Sequence, residues 1–200
     1  MRIKLTILLL ISGLILAFLP LSGRYSLHGS PRKLLTEVLH PETYVTSDQV
    51  ARYVVSDDST IRLFDLRPSI EFEKASIPGA VNLPYAKFLE SDLESLLNTG
   101  VTNIFYSENE MDANYALVLA KGLGYANTRV MKGGMNAWQN DIMTSSFTGE
   151  TISARENALF EIRTRARKMY TEINSMPDSL KVKYRASLEI ERKKLDGGCE

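Results

Sequence analysis

Cys199 is the single cysteine among 200 residues, and it directly follows Gly197 and Gly198. A thiol on two glycines is a flexible tether, because glycine permits backbone conformations closed to other residues. Such a thiol can carry a transferable group as its thiolate, although Asp196 and Glu200 beside it disfavour that charge. One cysteine rules out an internal disulfide framework and a cysteine zinc cage. His28 and His40 are the only histidines, which argues against a histidine metal cluster, and neither metal nor cofactor is expected. No histidine lies in residues 41–200 to activate a hydroxyl nucleophile. A net charge of zero argues against a strongly basic nucleic-acid binder, and the 44% hydrophobic, 24% charged composition is that of a globular chain.

The zero net charge hides a division. Residues 1–41 sum to +4, residues 42–150 to −7 and residues 151–195 to +5. An acidic body therefore sits between basic segments, which are either solvated surface or faces turned toward anionic lipid or a partner. Residues 5–21 are uncharged and almost wholly apolar, directly after Arg2 and Lys4. A basic start before an apolar run is the form of an export signal. Its 17 residues make about 25 Å of helix, at the lower limit for spanning a bilayer. The reading is residues 1–23 as a signal anchor or a cleaved signal peptide, with the retained anchor favoured. By the positive-inside rule either outcome puts the body outside the inner membrane, periplasmic or membrane-held.

Strand and helix alternate through the body. Residues 24–43 read as a polar linker with a short amphipathic stretch at Leu34, Leu35, Val38 and Leu39. Strands are expected at 44–46, 61–65, 80–83, 103–107 and 128–131. Helical segments are expected from a cap at Ser47 or Asp48, and at 69–74, 88–97 and 113–123, with a turn after Gly133-Gly134. The 103–107 strand lacks polar alternation, as a strand buried on both faces does. Such units give an α/β fold, a parallel sheet with helices on both faces, over residues 44–145.

Asp65-Leu66-Arg67, Glu71-Phe72 and Ile77-Pro78-Gly79-Ala80-Val81-Asn82-Leu83-Pro84 resemble the first motif block of the rhodanese family. Gly122-Leu123-Gly124-Tyr125, Lys132-Gly133-Gly134 and Ala137-Trp138 are similar to its closing block. Family members usually carry Gly-His where this chain has Ala75-Ser76. The resemblance implies a loop after the fourth strand whose backbone N–H groups and following helix N-terminus cradle an anion. It also implies a cysteine at the start of that loop, whose thiolate takes up sulfane sulfur as a persulfide. Ser107 takes the cysteine position here, followed by Glu108, Asn109, Glu110, Met111 and Asp112, with Asp112 where many members have Arg. A serine hydroxyl forms no persulfide. Two like charges about 6 Å apart repel by roughly 0.7 kcal/mol even in water. Three carboxylates around an anion cradle therefore oppose thiosulfate. The acidic loop is either solvated, a docking surface for a basic partner, or a site for a hard cation. The last is disfavoured because the spacing matches no calcium loop. Asp65, Arg67, Gly79, Gly133 and Gly134 are expected as structural elements.

Ser153-x-x-Glu156 is a capping box opening a helix with apolar positions 158, 159, 162, 166, 169, 170 and 173. Pro177 and Asp178 start a second helix with Leu180, Tyr184, Leu188 and Leu195 on one face. Residues 152–195 are read as a helical hairpin that packs on itself and the body, or against a second copy or another envelope protein. Residues 196–200 are the flexible tail, similar to the Gly-Gly-Cys arms of sulfur-oxidation carriers. The functional expectation is a catalytically inactive rhodanese-like interaction or scaffold module at the cell envelope. The alternative is a sulfur relay in which Cys199 carries the sulfur.

Overall fold

The computed structural model describes residues 11–12, 30–146 and 153–196. Five parallel strands form one sheet: β1 (Tyr44–Val45), β2 (Ile61–Asp65), β3 (Val81–Asn82), β4 (Thr102–Tyr106) and β5 (Thr128–Met131), in the order β1-β5-β4-β2-β3. The central strand β4 shows why its sequence lacks alternation. Ile104 and Tyr106 enter one core with Leu63, Met131, Trp138 and Ile142. Phe105 enters the other with Phe64, Phe88, Leu117 and Val130. Successive side chains of a strand point to opposite faces, so a strand covered on both sides must be apolar throughout.

The helices before the C-terminal pair are α1 (Pro31–Val38), α2 (Ser47–Ser56), α3 (Ser69–Lys74), α4 (Leu93–Leu96), α5 (Met111–Gly122) and α6 (Gly134–Ala137), the last running into a π-helical turn over Trp138–Met143. Three expectations are corrected. The linker at 24–43 contains α1, which forms because Ser30 Oγ accepts the Lys33 N–H and Pro31 occupies the first turn. The cap of α2 is Thr46, in a capping box with Gln49, rather than Ser47 or Asp48. Those two are used elsewhere: the Ser47 hydroxyl donates to Asp141, and Asp48 takes a two-toothed hydrogen bond from Arg163 at 2.6 and 2.7 Å. Residues 88–97 are not one helix. A 3₁₀ turn at Tyr85–Lys87 and the single-turn α4 replace it. The broken path sinks Phe88, Leu93 and Leu97 together into one core, which a straight helix of that length would not do.

The C-terminal helices are α7 (Ala154–Asn174), with Ser153 and Glu156 in the expected capping box, and α8 (Asp178–Asp196). Both pack on the body. Ala166, Tyr170 and Ile173 are buried, and Gln139 Nε2 donates to the Tyr170 hydroxyl at 3.1 Å. Asn174 pairs with both backbone groups of Ser76, accepting from its N–H and donating to its carbonyl at 2.9 Å each. The α8 face is rotated from expectation: Leu180 is exposed, while Lys181 is buried and Arg185 lies 4.3 Å over the Phe72 ring. Long basic side chains cover apolar surface with their stems while the charged end finds a carbonyl or ring. Ala158 of the expected α7 face is also exposed.

Among the described residues no helix is long and apolar enough to cross a membrane. The expected apolar segment at 5–21 lies outside them apart from Ile11 and Ser12, and Cys199 with residues 197–200 lies outside them entirely. Asp196, expected in the flexible tail, ends α8.

Candidate functional site

The loop from Ser107 to Glu110 joins the end of β4 to the start of α5, and five hydrogen bonds shape it. The Ser107 hydroxyl donates to the Asn109 carbonyl at 2.7 Å, which turns the chain immediately after the strand. Asn109 Oδ1 accepts the Met111 N–H at 2.8 Å and so meets a first-turn donor of α5 that has no partner within the helix. The Ser107 and Glu108 carbonyls accept from the Met135 and Asn136 N–H groups at 2.8 and 3.0 Å. Glu110 Oε2 accepts the Gly133 N–H at 2.9 Å.

Loop and α6 are thus stitched backbone to backbone, and this explains the two glycines. Gly134 has φ +57°, and a Cβ there would collide with the carbonyl oxygens of Ser107 and Asn109. Gly133 has φ +71°, and a Cβ there would come within 2.8 Å of the Ala137 Cβ. Gly134→Ala is expected to cost at least about 3 kcal/mol, combining left-handed strain with displaced backbone. Urea unfolding reads this directly, and a loss under about 1 kcal/mol would mean the loop moves aside freely. Gly79, at φ +77°, follows Pro78 in a turn closed by the Ala80 N–H on the Ile77 carbonyl at 3.1 Å.

Beneath the loop, Asp65 and Arg67 pair as expected. Asp65 is fully buried and Arg67 nearly so. Arg67 Nε lies 3.0 Å from Asp65 Oδ1, its terminal nitrogen lies 2.6 Å from Oδ2, and it also donates to the Ala75 carbonyl at 2.8 Å. Burial alone would lower the pKa of Arg67. The hydrogen bonds and charge of Asp65, then Tyr106 and Glu108, outweigh it and hold the guanidinium firmly charged. Asn82 secures both ends of the turn, donating to the Asp65 and Arg67 carbonyls at 3.1 and 3.0 Å. Ala75 and Ser76 are therefore used by the fold: one carbonyl holds Arg67, and the other residue is gripped by Asn174.

Tyr106 lies fully buried beside this pair, and its hydroxyl accepts the Ile77 N–H at 3.3 Å. Burial, then the neighbouring Asp65 charge, pushes its phenol well above the usual value near pH 10. An acid whose folded pKa is raised binds its proton more tightly when folded. Its contribution to stability is therefore present below about pH 10 and is lost as pH rises toward the folded value. In a base titration followed by phenolate absorbance, Tyr106 is expected to ionise only with unfolding. Removal of a late-titrating component in Tyr106→Phe checks the assignment, and a tyrosine set that ionises in one step near pH 10 would refute it.

The expected site residues are gathered but their carboxylates diverge. Glu108 is exposed and turns back to Arg67 at 3.7 Å. Glu110 is half-buried and turns to Gly133, Asp112 is half-buried in the first turn of α5, and Met111 is exposed. Among the described residues no group of three His, Cys, Asp or Glu side chains has the arrangement to hold a metal ion. Ser107 itself is 2% exposed. From the sequence Asn109 is only a member of the loop and Tyr170 only an apolar position of α7. An Asn just before a helix is a recognisable capping signal. The placement of Tyr170 near Arg67 and Glu108, whose charges act on its raised phenol pKa after the larger effect of burial, depends on how α7 packs. A polar cleft of about 270 Å³, lined by Glu37, His40, Lys121 and Arg129 among others, lies at the opposite end of the sheet, beside the first residues of β4 and β5.

The rhodanese-like domain family matches this chain over residues 47–141. The thiosulfate:glutathione sulfurtransferase of Saccharomyces cerevisiae is 28% identical over 102 residues, covering 46% of this chain and 73% of that protein. A single-domain sulfurtransferase structure from Saccharomyces cerevisiae matches with TM-score 0.43 and 23% identity, covering 49% of this chain and 89% of the other. The reduced CoADR-RHD structure of Bacillus anthracis matches with TM-score 0.42 and 21% identity; the match covers 48% of this chain and 16% of that longer one. Residues 47–141 of this chain are a rhodanese-like domain.

Proposed function

We propose that the chain is a rhodanese-like interaction module of the cell envelope, held at the outer face of the inner membrane by residues 5–21, and that its cradle performs no sulfur transfer. The observation that carries this reading is Ser107. It stands at the end of the central strand, buried, with its hydroxyl hydrogen bonded to the Asn109 carbonyl. Sulfur transfer of the family's type needs a thiolate that attacks sulfane sulfur, expels sulfite and holds the sulfur as a persulfide. An alcohol holds no sulfane sulfur, and no histidine in residues 41–200 is present to activate it. The carboxylate of Glu110 occupies the Gly133 N–H, so the loop supplies its own anion. What remains at the rim is acidic surface suited to a basic partner.

The test is turnover of thiosulfate by the purified full chain with cyanide or with glutathione as acceptor, the second chosen because the yeast relative carries that name. The expected rate is that of the protein-free control. Turnover that disappears in Ser107→Ala would overturn the reading.

The tail favours a second reading, in which Cys199 is the sulfur carrier. It is the single thiol of the chain, on a Gly-Gly tether. A tether of about three residues beyond Asp196 reaches on the order of 10 Å as a coil, so donor and acceptor would have to dock beside α8. Mass spectrometry of the native protein decides between the two readings. A gain of one sulfur atom on Cys199, lost in Cys199→Ser and retained in Ser107→Ala, establishes the relay. An unmodified thiol leaves the interaction module.

A further inference from the structure

We infer that the outer face of α1 lies on an anionic lipid surface, with Leu35 and Leu39 in the headgroup–acyl boundary and Arg32 and Lys33 against the lipid phosphates. The inference rests on the membrane-held reading above and adds to it how the domain is seated.

One side of α1 is already used. Val38 packs against the core that α5 borders, and Glu37 lies 3.8 Å from Lys121 of α5. Among the described residues nothing covers the other side: Leu35 is 60% and Leu39 72% exposed, one turn apart, with Arg32 a turn earlier on the same side. Single exposed leucines are ordinary on protein surfaces. Here their position in the chain gives them an occupant. The uncharged run at 5–21 ends nine residues before Ser30 caps the helix. Nine residues span about 17 Å as a flexible coil and roughly 30 Å fully extended. With residues 5–21 in a bilayer, α1 is therefore the element that stays nearest to it.

The charge of the α1 side agrees with this orientation. Between residues 22 and 39 the chain carries Arg24, Arg32 and Lys33 against one acid, Glu37, which faces Lys121. The body at 42–150 has net −7 and is repelled by anionic lipid; the other basic segment, 151–195 at +5, packs against the opposite core, so the tether at 5–21 is what selects the α1 side over it. An eight-residue helix with two leucines would bind lipid weakly alone. Tethering makes the contact intramolecular and raises its effective concentration. Since α1 packs on α5, and α5 begins at the cradle loop, seating α1 also sets the presentation of Glu108 and Asp112 to a partner.

The experiment uses the full chain carrying Cys199→Ser, with one reporter cysteine introduced as Leu35→Cys, Leu39→Cys or, as control, Glu94→Cys. Each is labelled with an environment-sensitive fluorophore and reconstituted into vesicles of phosphatidylcholine and phosphatidylglycerol. Flotation reads the anchor, and quenching by nitroxide-bearing lipid reads α1. The expected result is flotation of all three, with quenching at 35 and 39 at least about twofold that at 94, reduced in vesicles of phosphatidylcholine alone. Flotation with equal quenching at all three positions overturns the seating of α1 and leaves the anchor standing. Failure to float with vesicles overturns the anchor and the seating together.

Discussion

A cysteine placed at position 107 is expected to leave the chain nearly inert toward thiosulfate, while Ser107→Cys combined with Glu110→Gln and Asp112→Arg should be faster by about 10²-fold or more. The reasoning follows the loop contacts. A new thiol would take the place of a hydroxyl that is 2% exposed and hydrogen bonded to Asn109. Its thiolate would then lie in a loop holding Glu108, Glu110 and Asp112 within five residues, whose charges disfavour the thiolate and repel a dianionic donor. Glu110→Gln keeps an oxygen for the Gly133 N–H while removing the charge. Asp112→Arg replaces an acid with a cation in the first turn of α5, next to the loop. Removing one well-aimed charge-stabilising group from an enzyme site costs about 10²–10³ in rate, and two charge corrections here should regain at least the lower figure. Steady-state sulfite release measures it. Equal rates for the single and triple variants would show that the acidic loop is not what opposes the chemistry.

Arg67→Ala is expected to cost about 3–5 kcal/mol of folding stability, because it leaves the buried Asp65 carboxylate without its counter-charge. In the native chain Asp65 receives two side-chain nitrogens of Arg67 and the Arg67 backbone N–H at 2.9 Å. The same guanidinium ties down Ala75, next to the residue that Asn174 of α7 grips. Loss of Arg67 should therefore loosen α7 as well as the cradle floor. Urea unfolding gives the magnitude, and the corresponding fall in Tm should be about 10 °C. The double variant Asp65→Asn, Arg67→Met should recover part of the loss, since it removes the stranded charge. A cost below about 1 kcal/mol for Arg67→Ala would mean that water reaches Asp65.

Local pattern sufficed where an element depends on its own residues. Strand Ile61–Asp65, the turn at Ser69–Lys74, strand Thr128–Met131 and the capping box at Ser153 were all legible, because alternation, capping and glycine placement are short-range properties. The parallel sheet followed from the alternation of those elements, and the Asp65–Arg67 pair and the Gly133-Gly134 turn from their motifs. What the tertiary structure alone decided are choices among partners far apart in sequence. The stretch 88–97 is broken because three of its apolar side chains must reach one core. Asp48 and Ser47 lose the cap to Thr46 because Arg163 and Asp141, each more than ninety residues away, claim them. In the loop, three similar carboxylates take three different environments: Glu108 by Arg67, Glu110 on the Gly133 N–H, and Asp112 at the start of α5. Composition counts charges without saying where each side chain points. Direction is set by the nearest donor the fold supplies, and those donors lie just after β2 and just before α6, brought to the end of β4 only when the sheet closes.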